Sequence, residues 1–354
     1  MKRRHFLFVA GAGIASAKLA WADIGSSLYL TAGNRPDNSA WLVGVSLSGE
    51  IRFTLPLPSR GHAAAAHPFR AEAVAFARRP GNFALVLDCG TGREIARLST
   101  PEGSHFYGHG AFTADGRHLL TTENAYDVPE GRIGIWDVER GYQRVGDVPS
   151  GGLGPHEIIR LRDGHFAVAN GGIQTHPDFQ RAKLNIPTMQ TNLSILSESG
   201  EIMEKTEFPD DMRQNSIRHI DTDGQGNVIA ALQWQGAPGR VVPLVARFAP
   251  GGEYEFLSHP DTARLKQYAG SISVSALGDR IAVTGPKGDH VLFLDGDGRP
   301  LEASSLPVAS GVAKAPGGFL ITCAGGLVHR QQGRTVELPV DGGWSWDNHL
   351  VRVS

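Results

Sequence analysis

The feature that most constrains the fold is a unit of two β-hairpins that recurs about every 47 residues. The first hairpin of the unit turns at Asp-Gly or a similar glycine pair, as in "HGAFTADGRHLLTTEN" (109–124), "HEIIRLRDGHFAVANGG" (156–172) and "SVSALGDRIAVTGP" (273–286). Such pairs tolerate the positive φ of tight hairpin turns. The second hairpin follows at once, as in "RIGIWDVERGYQRVGDVP" (132–149) and "NLSILSESGEIMEKTEFP" (192–209). Each unit therefore supplies four strands.

The two ends of the chain complete the count of units. "NHLVRVS" (348–354) reads as one strand without partners, and the N-terminal region offers the three strands it lacks, "SSLYLTAG", "AWLVGVSLSGE" and "IRFTLPLP". A four-stranded unit of this length is typical of a β-propeller blade, and a blade shared by both termini closes the ring. The sequence predicts an all-β, seven-bladed propeller in which the C-terminal strand pairs with the N-terminal strands, occupying residues 23–354 as a single domain.

Residues 1–22, "MKRRHFLFVAGAGIASAKLAWA", have the form of a signal peptide. Arg3-Arg4 ahead of a short apolar stretch resembles the twin-arginine export signal, and Ala20-Trp21-Ala22 fits a cleavage site. An ordinary secretory signal that contains Arg-Arg is the alternative. We expect a periplasmic protein, exported through the twin-arginine pathway, whose mature chain begins at Asp23.

Charge and cysteine content exclude several classes of protein. Removal of residues 1–22 would leave 30 basic and 36 acidic side chains, an excess that does not favour nucleic acid as a partner. No later apolar run reaches the ~20 residues of a membrane-spanning helix, so we expect no membrane insertion. Cys89 and Cys323 stand far apart in apolar runs, which predicts two buried free thiols and no cysteine-based metal site.

Histidines recur at the start of the first strand of the unit in five of the seven blades. In a propeller this strand lines the central channel, so the imidazoles are expected to rim one mouth of that channel. The two remaining blades carry Ser273 and Gly311 near this position. The five histidines are His62, His109, His156, His219 and His349.

Two interpretations of these histidines remain open. Imidazole is the commonest metal ligand in proteins, and several blades can offer ligands at convergent geometry, which indicates a site for a transition metal ion such as iron, copper or zinc. Alternatively, the histidines are structural. Gly108-His109 and Trp136-Asp137 match the pair that forms a buried hydrogen-bond network in WD repeats, although the other blades lack the Trp-Asp partner.

Loops expected at the same channel mouth add candidate ligand-binding residues. The long loop 171–191 carries His176, a sixth candidate metal ligand, with Asp178 and Arg181. A shorter loop begins with Glu123 and Asn124. Glu157 and Arg218 are adjacent in sequence to ring histidines. Each of these polar residues is also compatible with an ordinary solvated position.

The sequence contains no familiar catalytic motif. It has no G-x-S-x-G elbow, no H-E-x-x-H pair and no phosphate-binding glycine loop beyond the signal peptide. This favours a binding protein over an enzyme without excluding the latter.

Several of the quoted segments together resemble a known family over nearly the whole chain. "HFYGHGAFTADGRHLLTTEN", "GLGPHEIIRLRDGHFAVANGGIQTHPDFQRAKLN", "SIRHIDTDG" and "WSWDNHL" resemble the exported bacterial propellers catalogued as domain of unknown function 1513. The resemblance implies a periplasmic role in iron or other metal acquisition. It further implies imelysin-like proteins and a haem-containing oxidoreductase as partners in the cell envelope.

The sequence leads to one hypothesis and two alternatives. The hypothesis is a periplasmic propeller that binds a metal ion, a metal complex or a partner protein at its histidine-rimmed channel mouth. The first alternative is a metal-dependent or lactonase-like enzyme at the same face, with Glu157 or Glu123 moving protons. The second is a scaffold that docks other envelope proteins.

Overall fold

The computed structural model describes residues 19–25, 28–79, 81–179 and 182–354. Residues 1–18 of the predicted signal peptide lie outside these residues. The predicted cleavage point after Ala22 falls within a one-turn 3-10 helix whose Trp21 indole N–H donates to the His67 carbonyl at 2.6 Å. No helix among the described residues is long and apolar enough to cross a membrane. The one-turn 3-10 helices are Trp21–Ile24, Pro177–Phe179, Ile186–Thr188 and Thr262–Leu265.

The described strands form seven antiparallel sheets, which we call blades 1 to 7 in chain order with the terminal sheet last. The chain begins with the three outer strands of blade 7: β1 Leu28–Asn34, β2 Ala40–Ser46 and β3 Ile51–Pro56. Blade 1 contains β4 Gly61–Ala66, β5 Glu72–Ala77, β6 Ala84–Asp88 and β7 Arg93–Leu98. Blade 2 contains β8 Ser104–Phe112, β9 His118–Ala125, β10 Glu130–Asp137 and β11 Gln143–Pro149. Blade 3 contains β12 Pro155–Arg160, β13 Phe166–Asn170, β14 Asn192–Leu196 and β15 Ile202–Glu207.

Blades 4 to 6 repeat the same order, and blade 7 ends the chain. Blade 4 contains β16 Asn215–Thr222, β17 Val228–Trp234, β18 Val245–Phe248 and β19 Tyr254–Leu257. Blade 5 contains β20 Ser271–Val274, β21 Arg280–Gly285, β22 His290–Asp295 and β23 Pro300–Ser305. Blade 6 contains β24 Val312–Ala315, β25 Gly318–Cys323, β26 Gly326–Gln331 and β27 Arg334–Pro339. Blade 7 is completed by β28 Ser345–Trp346 and β29 Val351–Arg352, which both pair with β1.

The seven-bladed, all-β architecture predicted from the repeat is thereby confirmed, including the closure of the ring by C-terminal residues. The hairpin turns fall at the predicted glycines. In blade 2 the turn between β8 and β9 places Gly116 at φ +72°, and its N–H donates to the Thr113 carbonyl at 3.0 Å. An L-residue is strained at this φ, which accounts for the Asp-Gly pair.

Apolar side chains are buried between neighbouring blades. One such layer joins blades 2 and 3, where Leu120 and Ile133 pack against Ile158, Phe166 and Leu196. Burying each of these side chains stabilises the fold by about 1.5–3 kcal/mol. In blade 3 the second strand, β13, is buried at every position, whereas most residues of the outermost strand, β15, are exposed.

The last segment departs from the prediction of a single closing strand. β28 and β29 are two short pieces, and residues 347–350 between them leave the β-ladder. The Thr31 hydroxyl donates to the His349 carbonyl at 2.7 Å, and the Asp347 N–H donates to the Ala32 carbonyl at 2.9 Å. Side-chain and irregular backbone contacts replace the ladder here, and they turn His349 toward the axis.

The two cysteines are buried and free, as predicted. Burial raises the pKa of Cys89 to about 12 and that of Cys323 to about 11. Both thiols therefore stay protonated at neutral pH, and neither belongs to a group of described side chains placed to share a metal ion.

Candidate metal centre

Five histidines from five blades meet on the propeller axis, and we call them the histidine ring. Taken in blade order, neighbouring imidazoles have ring centroids 4.4–5.0 Å apart, so the ring is closed. Four members are buried, and His156 is partly exposed. The members of the ring are His62, His109, His156, His219 and His349.

A local irregularity in the innermost strand accompanies every ring histidine. The pairing register shifts between Gly61 and Ala64 in blade 1, and comparable shifts occur at His109, His156 and His219. In blade 7 the strand is interrupted around His349. The innermost strands of blades 5 and 6, which contribute no histidine to the ring, pair with their neighbours without a shift. Since a bulge turns a side chain away from its regular strand position, these irregularities aim the imidazoles at the axis.

Glu157 brings a carboxylate to the histidine ring. Its Oε2 accepts the Ile220 N–H at 2.8 Å and lies 3.5 Å from His219 Nδ1, while Oε1 lies 3.9 Å from His109 Nε2. Burial raises the pKa of Glu157 to about 7, against the opposing effect of His109. The Glu157 carboxyl therefore lies between the imidazoles of His109 and His219. A cation bound by all three groups would shorten both carboxylate-to-imidazole distances.

Asp347 orients a ring histidine from outside the ring. Its Oδ1 accepts a hydrogen bond from His62 Nδ1 at 2.7 Å, and its Oδ2 accepts from Arg60 and Arg78 at 3.1 and 2.5 Å. Burial alone would raise the pKa of Asp347, but these neighbours outweigh it and hold the pKa well below its usual range. With Nδ1–H committed to Asp347, the lone pair of His62 is on Nε2. A carboxylate behind a ligand histidine is the usual second partner in metal sites.

The imidazoles are in the form that binds metals. Burial lowers the pKa of His62 to about 4 and those of His109 and His219 to about 3, and nearby cationic or imidazole groups contribute to each shift. Burial also lowers the pKa values of His156 and His349 well below the ordinary value. The ring is therefore neutral at neutral pH, with a lone pair on each imidazole.

The donors present fit a transition metal ion. His109 Nε2 and His349 Nε2 are 3.1 Å apart, close to the separation of about 3.3 Å between two nitrogens bound at 2.0–2.1 Å to a tetrahedral metal. The Nδ1 atoms of His109, His156 and His219 are buried without a hydrogen-bond partner. Each such atom costs about 1–3 kcal/mol unless a ligand satisfies it.

Two overlapping groups of donors have ligand atoms within 4.8 Å of one another. One comprises three imidazoles and a carboxylate, and the other three imidazoles. Nitrogen donors with a single carboxylate suit zinc, copper and iron better than calcium or magnesium. The groups are His109, Glu157, His219 and His349, and His62, His109 and His156.

A cavity of about 180 Å³ lies over one side of the histidine ring. His62, His156 and His219 form part of its wall. Four cationic side chains also line it: Arg78, Arg79, Lys183 and Arg218. Burial, followed by the repulsion of Arg79, lowers the pKa of Arg218 to about 10. No carboxylate is among the described residues that line this axial cavity.

Two of the predicted ligand-binding residues lie inside blade 2. Glu123 is buried, forms an ion pair with Arg144 at 2.6 Å and accepts from the Thr121 hydroxyl at 2.8 Å, because its strand position directs it between sheets. The Asn124 amide donates to the Thr175 carbonyl at 3.1 Å and also contacts His105. Both side chains are occupied by contacts that hold blade 2 and the neighbouring loop.

The loop 171–191 does not bring its histidine to the ring. His176 lies against Tyr126, with ring centroids 5.0 Å apart, and its Nδ1 accepts the Asp178 N–H at 3.2 Å. The Asp178 side chain is 82% exposed. Arg181 lies outside the described residues. The same loop reaches the axial cavity through Lys183 instead.

The WD-type network considered for His109 has a different form here. The Trp136 indole N–H donates to the Thr121 hydroxyl at 2.9 Å, whereas His109 Nε2 contacts His349. Trp136 therefore ties blade 2 together without His109, which faces the other imidazoles.

Sequence reasoning missed the residues that surround the ring. Asp347 stands two positions before His349 within "SWDNHL", and Arg78 and Arg79 follow a buried strand as a basic pair. A buried strand that ends in two arginines was a usable signal for a charged site. Nothing in the repeat marked Asp347, or Tyr107 and Tyr268, which also line the axial cavity.

Comparison with known proteins agrees with this architecture. A family profile described as "Protein of unknown function (DUF1513)" matches residues 55–353. No curated protein sequence matches the chain.

Solved structures similar to the chain include hydrazine synthase of Kuenenia stuttgartiensis, with a TM-score of 0.62 at 13% identity, over 87% of this chain and 94% of that one. The Cps50 (Swd1) β-propeller domain of Myceliophteria thermophila has a TM-score of 0.59 at 11% identity, over 83% and 93%. A protein of unknown function from Bacteroides caccae has a TM-score of 0.50 at 11% identity, over 78% and 93%. At these identities the likeness shows the fold alone.

Proposed function

The chain belongs to the DUF1513 family of proteins of unknown function, and from the histidine ring we propose that it binds one transition metal ion on the propeller axis. The observation that carries the proposal is the convergence of five neutral imidazoles from five blades with the carboxylate of Glu157, while three buried Nδ1 atoms are left without partners. Structural histidines would be expected to satisfy both ring nitrogens when buried.

We further propose that the ion is iron, copper or zinc and that the protein serves metal acquisition in the periplasm. The donor chemistry supports the choice of metals. The twin-arginine pattern at Arg3-Arg4 supports export of a protein that has already folded around its metal. Envelope proteins of the imelysin-like type and a haem oxidoreductase are the partners that this role would require.

The axial cavity favours an enzyme as the second candidate function. A binding protein that only stores an ion has no need of a cavity beside it, whereas here three ring histidines form part of the wall of a partly enclosed cavity. In that case a metal would supply Lewis acidity, and Glu157 would hold or release the proton. A scaffold is the least supported role, since docking faces do not require converging imidazoles.

Metal content is the direct test. The protein is exported by its native route, purified without an affinity tag or chelator, and analysed by mass spectrometry for metals. We expect about one ion per chain, retained in His165→Ala and reduced at least tenfold in His109→Ala and His219→Ala. His165 is the matched control because it is a partly exposed turn histidine beside Asp163.

Chelator-treated protein is then titrated with zinc, copper and ferrous iron to rank affinities. Absence of metal in the native protein, together with no binding in these titrations, would overturn the proposal. Thermal unfolding of each variant separates lost ligands from lost structure.

A further inference from the structure

The walls of the axial cavity carry more positive charge than the surrounding carboxylates balance. Arg78 shares Asp347 with Arg60, so that carboxylate is already neutralised. Neither Arg79 nor Arg218 forms an ion pair with a carboxylate within the described residues, and Arg218 Nε is buried without a hydrogen-bond partner. Two guanidinium groups therefore face a partly enclosed space without a counter-charge.

A third cationic side chain at the cavity comes from the long loop of blade 3. Lys183 lines the same cavity and donates to the Gln235 amide oxygen at 2.5 Å. Burying cations together is unfavourable unless an anion accompanies them. Arginine forks match the two oxygens of a carboxylate or phosphate group, which makes them the usual residues for such anions.

The size and position of the cavity restrict the anion. Its volume of about 180 Å³ is below the 300–1,000 Å³ that is typical of sites for drug-sized ligands. Its wall includes His62, His156 and His219, so that an anion held by the arginines lies directly beside the candidate metal donors. An oxyanion there can contact the arginines with one oxygen and the metal with another.

We propose that the axial cavity binds a small oxyanion, a carboxylate or a phosphate, against Arg79 and Arg218 and beside the metal. This inference deepens the proposed function, and the contact between oxyanion and metal rests on that function. The binding of the oxyanion by the arginines does not rest on it, because the arginines are present with or without a metal ion. The protein thus accepts a metal together with an anionic partner, as a chelate or as two separate ions.

Calorimetric titration tests the proposal on the protein as purified and on the same protein after chelator treatment. The probes are citrate, oxalate and inorganic phosphate at low ionic strength, and glycerol is the neutral control. We expect one oxyanion to bind at one per chain, more tightly to the metal-loaded form, and to weaken as salt is added. Whether the carboxylates or phosphate bind identifies the source of the oxyanion.

Variants assign the binding to the cavity. We expect Arg218→Gln and Arg79→Gln each to weaken the oxyanion at least tenfold. Arg299→Gln, which removes an exposed charge in blade 5, should change it less than twofold. Arg79→Gln keeps the test valid if Arg218→Gln fails to fold, as judged by circular dichroism. Equal binding of glycerol, an equal loss in Arg299→Gln, or no oxyanion binding to either form would overturn the proposal.

The two proposals can fail separately. Metal binding without any oxyanion binding would agree with the proposed function and contradict this inference. Oxyanion binding to a protein that takes up no metal would support the cationic cavity and contradict the metal-binding function.

Discussion

Asp347 lies outside the histidine ring and yet fixes the chemistry of one of its members. By accepting from His62 Nδ1 at 2.7 Å it assigns the proton to that nitrogen and leaves Nε2 as a donor. Two arginines keep Asp347 ionised, so the tautomer of His62 does not depend on solvent. The orientation of this candidate metal ligand is therefore set by charged groups from blades 1 and 7.

We expect Asp347→Asn to lower metal affinity about 10–100-fold, as for other partners of ligand histidines. An asparagine amide can donate as well as accept, so it no longer fixes the His62 tautomer. It also leaves Arg78 without its carboxylate, which costs about 3–5 kcal/mol when a buried pair is broken. Competition titration gives the affinity and denaturant unfolding gives the stability.

Asp341→Asn serves as the control, because Asp341 lies in the exposed turn before β28. An affinity unchanged in Asp347→Asn would show that His62 is not a ligand.

At the residue scale, the positions of the five ring histidines could be read from their spacing ahead of each first strand. The orienting residues could not. Asp347 meets Arg60 and Arg78 only after the propeller has closed, and no local pattern links residues 287 and 269 positions apart in the chain. His176 lies in the loop that was expected at the channel mouth, but its imidazole packs against the ring of Tyr126 and not against the ring histidines.

Glycines in or beside the innermost strands allow the close approach of backbone to the ring histidines. Gly108 precedes His109 at φ +106°, and a Cβ added to it would lie 2.6 Å from Cδ2 of the His62 ring. Gly311 of blade 6 is equally crowded, since a Cβ there would lie 2.4 Å from the carbonyl carbon of His349. A glycine in each place lets backbone from one blade approach a ring histidine of another.

We expect Gly108→Ala to destabilise the protein and to weaken metal binding. The positive φ is unfavourable for alanine, at about 1–3 kcal/mol, and the new methyl group must displace His62. Gly141→Ala is the matched control, because Gly141 has φ +70° with nothing within 4 Å of an added Cβ. It should show the backbone cost alone and full metal affinity.

Denaturant unfolding and metal titration of both variants check this expectation. Equal effects in the two would mean that the contact with His62 has no role.

At the element scale, the repeat predicted four strands per blade and the turns between them, because strand period and turn residues are local signals. The bulges were not predictable. An extra residue in an inner strand changes neither composition nor alternation enough to be seen, and its effect depends on the partner strand. The division of the last strand into β28 and β29 escaped prediction for the same reason.

Residues 345–354 hold the seven blades of the propeller in a closed circle. β28 and β29 pair with β1, and Trp346, Leu350 and Val353 are buried against blade 7 and its neighbours. Each of these side chains contributes about 2 kcal/mol through burial. The same segment carries Asp347 and His349, so closure and the metal centre depend on one stretch of chain.

Deletion of residues 345–354 is expected to abolish metal binding and to lower the denaturant midpoint of unfolding. It opens the ring, exposes the edge of β1 and removes one ring histidine together with Asp347. A chain that begins at Asp23 is the control, since it keeps the whole of β1, which starts at Leu28, and every residue of the histidine ring. Metal content and equilibrium unfolding of the two truncated chains check the expectation.

Retention of full metal affinity in the chain that lacks residues 345–354 would contradict this account of closure.

Because Asp347 and His349 follow all the other ring residues in the sequence, they are the last part of the candidate metal centre to be synthesised. A chain still being synthesised has four of its five ring imidazoles in place but neither the last one nor the carboxylate that orients His62. The complete set of donors exists only after residues 347–349 have been synthesised and the strands that flank them have paired with β1. Occupancy by a metal would therefore report that the propeller has closed.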